Sequence, residues 1–237
     1  MNLLGIDTAT ESATCAVMSD DKLLGEITFN YKKQHSVILM NIVDYTLKNL
    51  KLTIDDLDGF VVSKGPGSFT GLRIGMAVVK GLSDGSKKPF VSISSLDTLA
   101  YSLAYTTGII CPILDALRNN VYTALYKFEG NTLKKITDYM AISVDELVEI
   151  LKNHDLPITF IGDAVPKFRE ELKNQLSDVK FAPASLNLVK ASGLCELGMN
   201  LIKQGICDNP ITSAPIYLRK SQAEREYELR TGRDINE

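Results

Sequence analysis

The chain has 237 residues, 45% of them hydrophobic and 23% charged, proportions of a soluble globular protein that buries a core without disulfide or metal staples. Its formal net charge is −3, which argues against a protein that grips RNA unaided, because phosphate binding calls for a basic footprint. The opening MNLLGIDTAT has no basic segment ahead of an apolar one, and apolar runs are short and broken, so neither a secretory signal nor a membrane span is expected and a cytoplasmic location is.

Taken in chain order, residues 3–7 (LLGID) read as a buried strand, 12–18 as a second and 23–30 as a third, with Asp20-Asp21 turning the chain between the last two. This opening is a meander. A long helix follows at 35–50, then a short turn at 53–58 with Thr53 as its cap, then an apolar strand at 59–63 suited to the middle of a sheet. A helix is expected at 70–84, a strand at 89–93 and a helix at 95–105. The second half starts again with strands at 109–115, 121–129 and 133–140, the Glu129-Gly130-Asn131 segment making a hairpin turn. Ser143, with Glu146 three positions on, reads as the capping box of a helix at 144–153. A strand at 158–161, a helix at 167–174, a strand at 179–181 and a helix at 188–204 complete the order. Each half is thus three strands followed by alternating helices and strands, which points to two α/β domains of related topology, 1–105 and 106–220, and a charged tail, 221–237, read as solvated or packed back.

The densest signal is Gly65-Pro66-Gly67-Ser68-Phe69-Thr70-Gly71-Leu72-Arg73-Ile74-Gly75. A loop between strand and helix can hold an anion on free backbone N–H groups, and its glycines permit close approach. The same glycines equally suit a structural turn packed beneath another element. Neither a Walker-type loop nor a dinucleotide fingerprint is present, since Lys80 lies too far along the helix. A second phosphate-loop candidate follows the first strand at Asp7, Thr8, Ala9 and Thr10, where a carboxylate and hydroxyls could hold magnesium-bound phosphate. It lacks the glycine that phosphate approach normally requires.

Two helices carry more apolar surface than one core needs. The first has one stripe at Leu39, Val43, Leu47 and Leu50 and a second at Ile38, Ile42 and Tyr45. The second helix has Leu72, Met76 and Val79 on one stripe and Ile74, Val78 and Leu82 on the other. Either both helices are heavily buried or one face of each meets a partner. The cysteines, Cys15, Cys111, Cys195 and Cys207, read as buried reduced thiols, and His35 and His154 are too far apart in sequence for a histidine zinc motif; no metal site is expected.

The start LLGIDTAT, Gln34-His35-Ser36 opening the first helix, and KGPGSFTGLRIGMAVVKGL at 64–82 resemble the TsaB (YeaZ) family. Asp115-Ala116 with Arg118 and Val121-Tyr122 are similar to its D-A-R-x-x-x-V-Y segment, with Leu117 as a one-residue departure. Pro215-Ile216-Tyr217-Leu218-Arg219 with Ala223-Glu224 resembles its C-terminal signature. The resemblance spans nearly the whole chain and is most specific at 64–82. It implies two actin-like (ribonuclease H-like) domains, each a mixed sheet opened by a three-strand meander with flanking helices. It implies a non-catalytic subunit that binds a TsaD-type paralogue, joined by a TsaE-type ATPase, for threonylcarbamoyl transfer to adenosine 37 of tRNAs reading ANN codons. It also implies homodimerisation through the same helices when alone, and tRNA contact only within the complex. On that reading the partner interface draws on His35, Ile38, Leu39, Ile42, Tyr45, Leu72, Met76 and Val79. The Gly-rich loop comprises Gly65, Gly67, Ser68, Thr70, Gly71, Arg73 and Gly75, and Asp7, Thr8 and Thr10 are a vestigial nucleotide site. No cofactor is required, with ATP and magnesium held only weakly or at a subunit boundary. The competing readings are an actin-like small-molecule kinase or ATPase built on Asp7 and residues 8–10, and a metallopeptidase, for which ligands at workable spacing are missing.

Overall fold

The computed structural model describes residues 1–31, 35–220, 224, 227, 230 and 231. Gln34, Ala223 and most of the expected tail lie outside the described residues.

The first sheet holds β1 (Asn2–Asp7), β2 (Ala13–Ser19), β3 (Lys22–Phe29), β4 (Gly59–Gly65) and β5 (Phe90–Ser94) in the order β3-β2-β1-β4-β5. The meander β1-β2-β3 is antiparallel, while β4 and β5 run parallel to β1. Parallel central strands are covered on both faces and so read as continuous apolar runs; five of the six residues of β1 are buried. Between strands lie α1 (His35–Leu50) and α2 (Phe69–Ser86), and α3 (Ser95–Tyr101) follows β5.

The second half repeats this plan. Its core order is β10 (Met140–Ser143), β7 (Asn120–Thr123), β6 (Ile109–Asp115), β11 (Ile158–Ile161) and β12 (Val179–Phe181), with α4 (Val144–Leu151), α5 (Val165–Gln175) and α6 (Ala191–Lys203) in the places of α1, α2 and α3. Two strands expected to be continuous are each broken. The segment read as 121–129 divides into β7 and β8 (Tyr126–Glu129), and that read as 133–140 into β9 (Thr132–Lys135) and β10. At the break the Leu125 amide donates to the Thr137 hydroxyl at 3.0 Å and the Ile136 amide to the Leu125 carbonyl at 2.7 Å, so backbone groups leaving the ladder still find partners. The expected hairpin is present, Glu129 pairing with Thr132 across a two-residue turn.

The two halves exchange one helix each. α1 and α2 pack on the outer face of the first sheet, around Leu4, Ile6, Phe60 and Val62. Its inner face is closed by α6, whose Leu194, Cys195 and Met199 meet Leu3, Val61 and Val91. Conversely α3 supplies Leu96, Leu99 and Ala100 to the inner face of the second sheet, beside Ile110 and Leu114. A boundary after residue 105 therefore separates the strands but not the helices. Beyond α6 the chain returns along the first domain's edge: the Asp208 amide donates to the Phe90 carbonyl at 2.9 Å, and the Ser92 amide to Asp208 Oδ2 at 2.6 Å. This covers the edge strand β5, which would otherwise present unpaired backbone. Cys15, Cys111 and Cys195 are buried, whereas Cys207, expected to be buried, is exposed because it sits in this returning segment. Among the described residues no helix is long and apolar enough to cross a membrane.

Candidate functional site

The Gly-rich segment and the turn after β1 face each other. α2 starts at Phe69, one residue ahead of the expected start, and Ser68 caps it, its hydroxyl accepting from the Gly71 amide at 3.3 Å. The helix end then presses on residues 8–9. The Thr8 hydroxyl donates to the Gly71 carbonyl at 2.7 Å, and the Ser68 amide donates to the Ala9 carbonyl at 2.6 Å. A Cβ at Gly67 would stand 2.2 Å from the Ala9 oxygen, and one at Gly71 2.0 Å from the Thr8 oxygen. Of the two readings left open by the sequence, the packed structural turn accounts for Gly67 and Gly71: both admit a neighbouring backbone, and the Ser68 amide between them is bonded to it. Thr70 is exposed, and Gly75 lies beneath the Thr8 side chain. Arg73 points the other way, its guanidinium 4.0 Å over the Phe69 ring and its Nε donating to the Tyr217 hydroxyl at 3.2 Å.

Asp7 is fully buried at the end of β1. Its Oδ1 accepts from the Ala9 amide at 3.3 Å, while Oδ2 meets no hydrogen-bond donor. Burial pushes the carboxyl up to about 6, more than the nearby Ser63 hydroxyl and Ala9 amide pull it down, and the Asp163 charge adds to the rise. Asp163, just after β11, is also raised to about 6 by burial, against the pull of the Asp115 amide that donates to it at 2.9 Å. Asp163 lines a cleft of about 740 Å³ between the domains, with residues 9–11 and 67–70 on one side, Asp115 and Leu117 beside it on the other, and residues 216–220 across it; Asp7 has no surface open to it. Thr10, at its rim, exchanges a 2.9 Å bond with Ser12 and gives its carbonyl to His35 Nε2 at 2.8 Å.

A nucleotide held in this cleft, as the resemblance allows, would need backbone donors at the 7–10 turn. The Ala9 and Ser12 amides are engaged by side chains and the Ser68 amide by Ala9. Asp115, on the cleft wall beside Asp163, is paired with Lys167 Nζ at 3.1 Å, which offsets its charge toward a phosphate. Three amides around the turn are thus already bonded within the chain, and no group of three or more metal-ligating side chains occurs among the described residues.

The expected partner face needs correction in its orientation. Leu39, Ile42, Leu72, Met76 and Val79 are all buried in this chain's own core. Both helices turn these stripes inward because the sheet beneath is apolar on that side. His35, also expected at the interface, is half-buried and holds the residue-10 carbonyl. What remains outside is a different set: Tyr45 is 61% and Val37 62% exposed, with Ile38, Ile74, Val78 and Leu82 half-buried beside them.

Sequence reasoning passed over Asp163 and Glu26. Asp163 had a signal, a Gly-Asp pair directly after an apolar strand. Glu26 had none: its Oε1 accepts from both the amide and hydroxyl of Ser192 at 2.9 Å, across the domain boundary.

Two sheets of identical strand order facing across a cleft, each exchanging a helix with the other, define an actin-like ATPase fold. The family described as "TsaD: tRNA N6-adenosine threonylcarbamoyltransferase" matches residues 22–227. The tRNA threonylcarbamoyladenosine biosynthesis protein TsaB of Bacillus subtilis is 32% identical over 228 residues, covering 96% of this chain and 98% of that protein. TsaB of Escherichia coli is 29% identical over 153 residues, covering 62% and 64%. YeaZ from Pseudomonas aeruginosa superposes with a TM-score of 0.75 at 22% identity, over 92% of this chain and 99% of that one, a likeness that speaks to the fold. The chain belongs to the TsaB (YeaZ) family.

Proposed function

We propose that this protein serves tRNA threonylcarbamoyladenosine biosynthesis as a non-catalytic subunit that docks on a TsaD-type catalytic subunit through the outer faces of α1 and α2. The observation that carries the reading is apolar surface left open on two helices: Val37, Met40 and Tyr45 stand exposed on α1, and Ile74, Val78 and Leu82 on α2 pack at the edge of the core yet stay half-exposed. Two adjacent helices can supply the roughly 800 Å² per partner that a stable contact needs. The cleft supports the other half of the proposal, that the subunit works without a nucleotide or metal of its own: the Gly-rich loop packs directly on the turn after β1, and Asp7 is wholly buried there. A TsaE-type ATPase joins the assembly, tRNA is met only there, and without a partner the same apolar face pairs two copies of the chain.

The test is co-purification with a candidate TsaD-type protein, then tRNA modification by the reconstituted mixture with each subunit omitted in turn. Full modification without this chain, or turnover of Mg-ATP by this chain alone, would overturn the proposal and favour the kinase reading.

A further inference from the structure

We infer that Arg219 and the turn at 116–120 form a latch across the mouth of the interdomain cleft. Leu117, Arg118 and Asn119 adopt φ values of 62°, 52° and 62°, three successive non-glycine residues in the left-handed region. There Cβ crowds the following carbonyl, and such residues persist only where their surroundings over-determine them. Side-chain packing does not do so here, because all three side chains are exposed. Backbone and polar contacts do. The Leu117 amide donates to Asp115 Oδ1 at 2.8 Å, the Asn120 amide to the Leu117 carbonyl at 3.1 Å, and Asn120 Nδ2 to the Arg118 carbonyl at 2.8 Å.

These contacts are internal to the second domain. Arg219 reaches the turn from elsewhere, its guanidinium donating to the Ala116 carbonyl and, at 3.4 Å, to that of Leu117. Arg219 is itself carried on a strand of chain fastened to the first domain. The Ile216 amide donates to the Lys64 carbonyl at 2.7 Å, Lys80 Nζ donates to the Ser213 carbonyl at 2.5 Å, and the Tyr217 ring lies 4.6 Å from that of Phe69. The hook is mounted on one domain and the catch on the other. The domains are also joined by the packed helices α3 and α6, which serve as the pivot. Engaged, the latch holds the strained turn and fixes the cleft width. Released, the turn relaxes and the domains are free to swing on the pivot. The proposal does not rest on the partner reading.

The test is amide hydrogen exchange on the full chain. With Arg219→Ala, the Leu117 and Asn120 amides are expected to exchange about tenfold faster or more, while the Ile216 amide, held by the first domain, keeps its rate. Leu117→Gly, which removes the Cβ penalty, is expected to slow Asn120 exchange in the parent and to restore most of the lost protection in the Arg219→Ala background. Leu117→Gly alone tests the strain even if Arg219→Ala does not fold. Unchanged Leu117 and Asn120 exchange in Arg219→Ala, equal loss at Ile216, or no slowing by Leu117→Gly would each overturn the latch.

Discussion

The hydroxyl of Thr8, just past the end of β1, donates to the backbone carbonyl of Gly71 in the first turn of α2, 2.7 Å away. That bond makes a loop with the outward form of a phosphate binder a packing contact: the Gly-rich segment closes directly on the turn after β1 and seals it.

The seal predicts opposite effects for two glycines of one helix. Gly71→Ala would bring a Cβ to 2.0 Å from the Thr8 oxygen, a backbone atom that cannot swing aside, and is expected to cost about 2 kcal/mol or more. Gly81→Ala meets nothing within 4 Å and is expected to stabilise by about 0.5–1 kcal/mol through helix propensity. Urea unfolding of both variants decides the matter; equal stabilities would mean the close approach is not real.

Neighbouring valines on α2 separate docking from folding. Val79 is fully buried, and Val79→Glu is expected to destabilise by about 3 kcal/mol or more, since it buries an unpaired charge. Val78 is only half-buried on the outer row, and Val78→Glu is expected to cost under about 1 kcal/mol while weakening TsaD-type binding at least about tenfold. Calorimetric titration with the partner, beside a thermal melt of each variant, reads the two effects apart. A folded Val78→Glu that binds with parental affinity removes this face from the proposal.

Asp7 gives stability a pH dependence of definite sign. Its carboxyl sits near 6 in the folded chain against an ordinary 3.8, so the folded state keeps a proton that the unfolded chain releases. The resulting stabilisation is fully present below about 3.8 and is lost as pH rises to about 6. Exposed acids held low, Asp56 and Glu146 among them, work in the opposite direction, so the comparison must be between variant and parent. Asp7→Asn is expected to gain on the parent by roughly 2 kcal/mol between pH 4 and pH 7. Parallel stability curves over that range would show that Asp7 does not titrate in it.

Glu26 acts as a borrowed helix cap. Lys190, at the N-cap of α6, makes no side-chain cap bond; the carboxylate of Glu26 on β3 serves the Ser192 amide instead. Glu26→Ala is expected to cost about 1–2 kcal/mol and Glu26→Gln distinctly less, because the amide oxygen still accepts. Denaturant midpoints of the two variants provide the check, and equal losses would assign the effect to charge alone.

Much of this architecture is readable in the chain. Hydrophobic period and turn residues locate α1 at 35–50, the Ser143 capping box and the two-residue hairpin at Gly130, because local chemistry settles each of them. The repeated order of elements announces the paired sheets. What local chemistry cannot supply is direction: apolar stripes on α1 and α2 look alike in sequence, and only the sheet beneath decides that Leu72, Met76 and Val79 are fully buried while Ile74, Val78 and Leu82 stay half-exposed at the core's edge. The break at Ala124–Leu125 escapes for the same reason, since that segment stays apolar through the kink, whereas the other break carries a polar signal, Thr137-Asp138, that sequence reasoning passed over. Contacts between residues more than 100 positions apart, such as Glu26 with Ser192 or Arg219 with Ala116, leave no periodic trace at all.

The helix exchange has a consequence for how the molecule is made. As the chain leaves the ribosome, the inner face of the first sheet lies bare until residues 191–203 emerge. Early in synthesis the nascent protein therefore carries an open apolar sheet, vulnerable to association with its neighbours. A premature stop anywhere before α6 leaves not half a working molecule but a product whose first domain has no lid.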